Sequence, residues 1–255
     1  MLVNLININK YYNGKHILKN INLTVNEKDR IGLIGINGCG KTTLLRILTG
    51  KELPDRSTEK DGIVSFASKT SVGYLEQMSG LDRDSTVIDE MKSVFSYLDS
   101  VLERMKELEH IMKESSEINE EISEEYSKLS AYYESNDGYT IDVKIKTILN
   151  GMGFSENDYN RIISGFSGGE KTRLAIAKLL LEEPNLLILD EPTNHLDFKT
   201  VLWLEEYLKD YKGALLIVSH DRYFLDKVVT SVCEIEYGVL TRYKGNYTAY
   251  TLLKS

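Results

Sequence analysis

The alternation of apolar and polar positions predicts β-strands towards both ends of the chain. Residues 2–8 and 16–25 alternate around the turn Asn13-Gly14, which indicates two antiparallel strands with one covered face. Three other segments are apolar at nearly every position, as in strands of a parallel sheet covered on both faces: residues 31–34, 186–190 and 214–218. With the helical segments between them, these strands predict an α/β fold with a parallel-centred sheet and an antiparallel β flank.

Two further β segments complete this pattern. Residues 72–77 form a short predicted strand that ends in the polar side chain of Gln77. Residues 232–236 and 239–243 are predicted to form a hairpin that turns at Gly238. The segment KGNYTAY that follows is polar and aromatic, and no continuation of the core is expected there.

The middle of the chain has a helical period instead. Apolar residues recur at alternating steps of four and three from Val87 to Met112, and a second stripe runs from Ile118 to Tyr133 after a polar break. The two stripes predict amphipathic helices that pack as an antiparallel hairpin over residues 82–135. The first stripe consists of Val87, Met91, Val94, Leu98, Val101, Met105, Leu108 and Met112. A third helix is predicted over residues 140–150.

The strongest chemical signal is a glycine-rich loop between a predicted strand and a predicted helix. The spacing G-x-x-x-x-G-K-T runs from Gly35 through Gly40 and Lys41 to Thr42, as in nucleotide triphosphatases. Glycines at these positions let backbone N–H groups converge on a polyphosphate, and the following helix adds its positive end. Lys41 is placed to reach the β- and γ-phosphates, and the Thr42 hydroxyl is placed to bind Mg²⁺. A glycine-rich turn that binds nothing is the alternative.

Other polar side chains follow predicted strands or precede a predicted helix. Asp190 and Glu191 end an apolar strand, where one carboxylate can hold a hydrated Mg²⁺ and the other can polarise the attacking water. Ser167-Gly168-Gly169 precedes a helix and offers a second group of N–H donors. His220 follows the strand at 214–218, although a lone histidine is usually structural. Gln77, taken alone, is most simply a surface glutamine.

Tyr12 is a further candidate near the phosphate loop. A flat aromatic ring there can stack on a nucleotide base, but a half-buried tyrosine at the end of a strand fits the pattern equally well. The sequence leaves both interpretations open.

Composition and charge restrict the class of protein. The chain has 42% hydrophobic and 27% charged residues, no apolar run near the roughly 20 residues that a membrane span requires, and only two cysteines, Cys39 and Cys233. A reducing, cytoplasmic location is expected. The net charge is −8, and residues 82–160 hold 19 acidic and 8 basic side chains against 20 and 23 elsewhere. A nucleic-acid partner would therefore have to meet local basic surface.

Taken together, these motifs resemble the nucleotide-binding cassette of the ABC ATPase superfamily. The order is GINGCGKTT, Gln77, FSGGE, LLILDEPTNHLD and SHD, and the resemblance covers essentially the whole chain. Four details resemble the ABC-F subfamily of ribosome-associated ATPases: DEPTNHLD, HDRYFLD, YKGNYTAY and the long helical hairpin. The resemblance implies one cassette over residues 1–255, with a hairpin arm at 82–135, a helical region with the signature at 139–182, and the start of an interdomain linker at 243–255.

The resemblance also implies roles for individual residues. Glu191 is the expected catalytic base, with His220 as the switch histidine and Gln77 in the Q-loop; Thr42, Gln77 and Asp190 are the expected Mg²⁺ ligands. The residues expected to bind ATP are Tyr12, Gly35, Ile36, Asn37, Gly38, Cys39, Gly40, Lys41, Thr42, Thr43, Ser167, Gly168, Gly169, Glu170 and Asp197.

The family arrangement places each ATP between the phosphate loop of one cassette and the signature of another. The chain is therefore expected to hold two half-sites and to need a second cassette, in the same natural chain or in a homodimer. Phe166 departs from the usual leucine before the signature, and no second cassette is present in the sequence. A ribosome is the expected partner and an integral membrane protein is not. The alternatives are the ATPase subunit of a membrane transporter and a non-catalytic nucleotide sensor.

Overall fold

The structure, a computed structural model, describes residues 1–75, 81–82, 84–114 and 120–254. The chain divides into two compact units. Unit 1 comprises Met1–Ser79 and Glu182–Ser255, and unit 2 comprises Gly80–Leu181. Each unit has its own elements and is described by itself.

Unit 1 contains two β-sheets. The first is three-stranded and antiparallel, in the order β2-β1-β4, and the second is six-stranded, in the order β5-β6-β7-β3-β8-β9. Neighbouring strands of the second sheet are parallel except for β9, which pairs antiparallel with β8. The strands are β1 Val3–Tyr12, β2 Lys15–Val25, β3 Arg30–Ile34, β4 Ile63–Phe66, β5 Val72–Tyr74, β6 Leu186–Asp190, β7 Ala214–Val218, β8 Ser231–Glu236 and β9 Val239–Lys244.

These strands confirm the predicted fold class and refine one part of it. The central strands β6 and β7 are buried along almost their whole length, as their all-apolar sequences predicted. The antiparallel flank is a separate sheet that shares a hydrophobic core with the parallel one. Helix α1, Lys41–Leu48, contributes Leu44, Leu45, Ile47 and Leu48 to that core, so the phosphate loop is anchored from both ends.

Three more helices belong to unit 1: α7 Phe198–Lys209, α8 Arg222–Val228 and α9 Tyr247–Lys254. The last corrects the expectation that the core does not continue after the β8–β9 hairpin. Tyr250 is only 8% exposed, and its hydroxyl donates a hydrogen bond to Glu234 at 2.8 Å. Lys254 pairs with Glu234 and Glu236, at 2.7 and 2.8 Å. Tyrosines instead of aliphatic side chains form the buried side of this short helix, so the hydrophobic pattern did not predict it.

Unit 2 is helical: α2 Val87–Ser93, α3 Asp99–Glu114, α4 Glu120–Ser135, α5 Ile141–Gly151 and α6 Gly168–Glu182. The predicted antiparallel hairpin is present as α3 and α4. Arg104 donates to Glu125 at 2.8 Å, Tyr126 donates to Glu109 at 2.8 Å, and Tyr133 packs with Leu98. Leu98, just before α3, packs near the end of α4, whereas Arg104 and Glu109 pair with residues in the first half of α4, so the two helices run in opposite directions.

The first stripe is not one continuous helix, which corrects the prediction for residues 87–112. Helix α2 ends at Ser93, a single tight turn covers Ser96–Leu98, and α3 begins at Asp99. The Ser93 hydroxyl donates to the Glu90 carbonyl at 2.7 Å, and such local bonds favour helix ends. The two parts also have different partners, because Glu90 of α2 pairs with Lys178 of α6 at 2.6 Å, whereas α3 packs on α4.

Helix α5 confirms the third predicted helix and its end at Gly151. Helix α6 begins at Gly168, one residue after Ser167, and buries Leu174, Ile176 and Leu180. In the part of the chain that the structure describes, no helix combines the length and the apolar character that crossing a membrane would require.

Candidate functional site

The phosphate loop connects the end of β3 to the start of α1 through backbone conformations that favour glycine. Gly35 has a φ of 151°, and a Cβ there would come within 2.6 Å of both Cys39 Sγ and the carbonyl oxygen of Ile235. Gly40 has a φ of 108°, and its Cβ would lie 2.7 Å from Leu18. The two glycines therefore permit a tight turn that side chains would prevent. Helix α1 starts directly after Gly40, so its free N–H groups point into the loop.

Lys41 folds back over this loop. Its ammonium group donates to the Gly35 carbonyl at 2.8 Å and to the Ile36 carbonyl at 3.2 Å. These neutral acceptors hold a positive charge at the mouth of the loop. A phosphate oxygen is a stronger acceptor for an ammonium group than a carbonyl is, so Lys41 is ready to exchange partners.

The two predicted carboxylates and the histidine meet at the ends of neighbouring parallel strands. Glu191 follows β6 with a φ of 49°, and its N–H donates to the carbonyl of Val218 at the end of β7. Its carboxylate accepts the backbone N–H of His220 at 3.2 Å and lies 3.5 Å from His220 Nε2. The left-handed backbone of a glutamate costs of order 1–3 kcal/mol, and it aims the side chain at the histidine.

Asp190, like Glu191, is half-buried. Burial raises its pKa, the charge of Glu191 raises it further, and Lys41 opposes both effects. A divalent cation beside Asp190 would offset this unfavourable charge, and hydroxyl and carboxylate oxygens such as those of Thr42 and Asp190 suit Mg²⁺. Among the described residues, no cluster of three or more His, Cys, Asp or Glu could hold a metal by itself. The residues fit a Mg²⁺ that takes its other oxygens from phosphate and water.

A cleft of about 310 Å³ connects these groups. Most of the predicted site residues in unit 1 line it: Tyr12, Asn37, Gly38, Gly40, Lys41, Thr42, Thr43, Asp190, Glu191 and His220. A second cleft of about 450 Å³ shares Asn37, Lys41 and His220 with the first and is also lined by Gly35 and Ile36. The structure therefore brings the motifs of three separate sequence segments into one place.

Tyr12 lies at the end of β1, lines the same cleft and is 43% exposed as a residue. Its hydroxyl donates to the carboxylate of Glu52, and this hydrogen bond raises the pKa of Tyr12. The ammonium of Lys10 lies 5.6 Å from the ring centroid and 3.2 Å from Glu52. The neighbouring Tyr11 instead stacks on His16 at 4.0 Å. A partly exposed, anchored ring beside the phosphate loop is suited to stacking on a base.

The signature segment, Ser167–Glu170, belongs to unit 2 and starts helix α6. The Ser167 hydroxyl accepts the Glu170 N–H at 3.3 Å, and Glu170 Oε2 accepts the Ser167 N–H at 2.9 Å. This reciprocal pair is a capping box. It leaves Gly168 and Gly169 in the first helical turn, and an added Cβ at Gly168 would meet no atom within 4 Å. The first turn is therefore open towards an approaching group.

Asp197 and Cys39 line neither of the two clefts. Asp197 caps helix α7, where its carboxylate accepts the N–H of Thr200 at 2.9 Å. Gln77 lies outside the described residues. Sequence reasoning also missed Glu52 and Lys10, which contact Tyr12. They follow no motif, and a pair of residues 40 positions apart leaves no periodic signal.

Solved ATP-binding cassettes share this fold. The ATP-binding subunit of an ABC transporter superposes with a TM-score of 0.68 over 96% of this chain and 90% of its own, at 19% identity. A dimeric ATP-binding cassette in a post-hydrolysis state, bound to ADP and Pi, superposes with a TM-score of 0.62 over 95% of this chain and 98% of its own, at 22% identity. The fold is therefore that of an α/β ATP-binding cassette.

The sequence comparisons identify the family. The ABC transporter family profile matches residues 18–194, and the chain belongs to this family as an ATP-binding domain. ABC-F proteins are among its relatives, including "ABC transporter F family member 5" of Arabidopsis thaliana, 35% identical over 99% of this chain and 36% of that protein.

Two further relatives extend the comparison. "Putative ATP-binding protein YdiF" of Bacillus subtilis is 45% identical over 98% of the chain and 38% of that protein. "Energy-dependent translational throttle protein EttA" of Haemophilus influenzae is 35% identical over 92% and 41%. The chain thus spans about two fifths of the length of these curated relatives.

Proposed function

We propose that the chain is the ATP-binding cassette of a cytoplasmic ABC-F ATPase, which hydrolyses ATP to drive its binding to and release from the ribosome. One observation carries the catalytic part: Lys41, Asp190, Glu191 and His220 line a single cleft at the ends of β3, β6 and β7. Relatives named for translation and for tylosin resistance support the ribosomal part. The role is either in translation itself or in protecting ribosomes from antibiotics.

The proposed reaction is the attack of a water molecule on the γ-phosphorus of ATP, in line with the departing ADP. Glu191 orients the water and receives its proton, and Lys41 stabilises negative charge on the phosphates. His220, already adjacent to Glu191, contacts the γ-phosphate. Thr42, Asp190 and Gln77 would hold Mg²⁺, which when bound offsets charge on the β- and γ-phosphates. ADP and phosphate are the products.

The site is proposed to be complete only when a second cassette adds its signature segment. That cassette is either another part of the natural protein or a second copy of this chain. Two observations support this: a similar fold has been solved as a dimer bound to ADP and Pi, and the first turn of α6 is open at Gly168. In this arrangement Ser167, Gly168 and Gly169 of one cassette face the nucleotide on Lys41 of the other, and Asp197 lies near the same interface.

Co-sedimentation tests the proposed partner. The chain with Glu191→Gln and ATP is expected to pellet with ribosomes and to stay in the supernatant with membrane vesicles. Wild-type chain after hydrolysis, with ADP, is the control and is expected to bind ribosomes more weakly. Pelleting with membranes but not with ribosomes would favour the subunit of a membrane transporter instead.

Tyr12 gives a separate test of nucleotide binding. Tyr12→Ala is expected to raise the Kd for ATP by about tenfold, because stacking of a base on an aromatic ring contributes about 1–3 kcal/mol. Tyr12→Phe keeps the ring and should stay within about threefold of wild type. Tyr11→Ala, whose ring stacks on His16, is the matched control. Titration of a fluorescent ATP analogue measures all four proteins, and an unchanged Kd in Tyr12→Ala would leave Tyr12 a structural residue.

A further inference from the structure

One arginine in unit 2 links the segment before the signature to the signature itself. Arg161 Nη1 donates to Asp158 Oδ1 at 2.7 Å, and Arg161 Nη2 donates to Glu170 Oε1 at 3.0 Å. The guanidinium also lies 4.3 Å from the centroid of the Phe166 ring. No motif drew attention to this residue, yet it contacts both ends of the sequence FSGGE.

Glu170 connects Arg161 to Ser167. One carboxylate oxygen of Glu170 accepts from Arg161, and the other accepts the backbone N–H of Ser167 at 2.9 Å and its hydroxyl at 2.8 Å. The backbone N–H of Ser167, then its hydroxyl, then Arg161 lower the pKa of Glu170. Glu170 therefore carries a full negative charge at neutral pH, one hydrogen bond away from the Ser167 hydroxyl.

Phe166 accounts for the geometry of the guanidinium. Its ring stacks on Phe154, with centroids 5.9 Å apart and an interplanar angle of 11°. A fixed aromatic face attracts a guanidinium, whereas the leucine that is usual at this position has no such face. Phe166, which replaces the usual leucine, and Arg161 are therefore parts of one arrangement of contacting side chains.

Stability alone does not explain this arrangement. The Arg161 side chain is 44% exposed, and ion pairs with that exposure contribute little to folding. The charge has a clearer consequence at the signature segment. A polyphosphate that approaches Ser167 and Gly168 meets the negative charge of Glu170, and like charges at short range oppose binding unless a cation offsets them.

We propose that Arg161 is a positioning residue of the signature segment, holding Glu170 in place and offsetting its charge so that Ser167 can meet the phosphates on a second cassette. This inference rests on the proposed composite site. Arg161 itself does not reach the reacting atoms in this account. It acts through Glu170.

The test is ATP-dependent self-association of the Glu191→Gln chain, measured by sedimentation velocity. Arg161→Ala in this background is expected to weaken association by about tenfold, because an unbalanced carboxylate then faces the phosphates. Adding Glu170→Gln is expected to restore association to within about threefold, since the amide oxygen still accepts from Ser167 but carries no charge. Arg161→Lys keeps the charge without the planar fork and should fall between the two.

Arg104→Ala is the matched control. Arg104 also bridges two carboxylates, Glu107 at 3.0 Å and Glu125 at 2.8 Å, but it lies on the hairpin and should leave association unchanged. If Arg161→Ala does not weaken association, or if Glu170→Gln does not rescue it, the inference is overturned. If Arg161 had a purely structural role, Glu170→Gln would not restore association.

If the proposed function itself is wrong, the same experiment gives a different result. If the Glu191→Gln chain does not self-associate in the presence of ATP, pairing of two copies of the chain is disproved. The pKa of Glu170, measured by NMR in the monomer, then decides the inference. If the pKa of Glu170 is higher in Arg161→Ala than in the parent chain, the result supports the inference that Arg161 holds Glu170 in place. An unchanged pKa overturns the inference.

Discussion

ATP turnover by the Glu191→Gln chain is expected to fall by about 100-fold or more, while its Kd for ATP stays within about threefold of wild type. The side chain of Glu191 is fixed beside His220 by the backbone of two adjacent strands, so the amide occupies the place of the carboxylate. An amide cannot accept a proton from the attacking water. The substitution does not change Lys41 or the phosphate loop, which bind ATP. Phosphate release and analogue titration measure the two quantities separately.

Glu206→Gln makes the same chemical change at an exposed position of α7 and is the control. It should turn over ATP at the wild-type rate. Normal hydrolysis by Glu191→Gln would show that another group activates the water. Loss of both turnover and ATP binding would indicate instead that Glu191 supports the structure of the cleft.

The sequence alone predicted the fold class because buried parallel strands and the phosphate loop are both local signals. Strands β6 and β7 are apolar at almost every position, and the spacing from Gly35 to Lys41 is set by the loop itself. Because parallel strands end at the same edge of a sheet, Asp190, Glu191 and His220, which follow such strands, line one cleft with Lys41.

Contacts between distant residues were not predictable in this way. Tyr12 gains its anchor from Glu52, and Ser167 is connected to Arg161 through Glu170, but no period or motif joins these positions. The prediction of one continuous helix from the first apolar stripe was wrong for a related reason. Its heptad spacing continues through Val94, whereas the two parts pack against different helices and the chain turns between them.

Two inactive variants are expected to complement each other. Lys41→Ala removes the ammonium that binds phosphate, and Gly168→Asp places a carboxylate on the open first turn of α6. Since an added Cβ at Gly168 meets no atom within 4 Å, and acidic residues suit a helix N-terminus, this variant should fold normally. Each variant alone should lose about 100-fold in turnover, for different reasons. Gly168→Asp should still bind ATP, and Lys41→Ala should not.

The most direct measurement is the turnover of an equimolar mixture of these two variants. In a mixed pair, Lys41 of one chain faces the intact Gly168 of the other, which completes one of the two sites. Random pairing makes half of the pairs mixed, so the mixture should recover up to about one quarter of the wild-type rate and lose it on dilution. A Gly168→Asp chain that turns over ATP at the wild-type rate, or wild-type turnover per chain unaffected by dilution, would contradict the composite site.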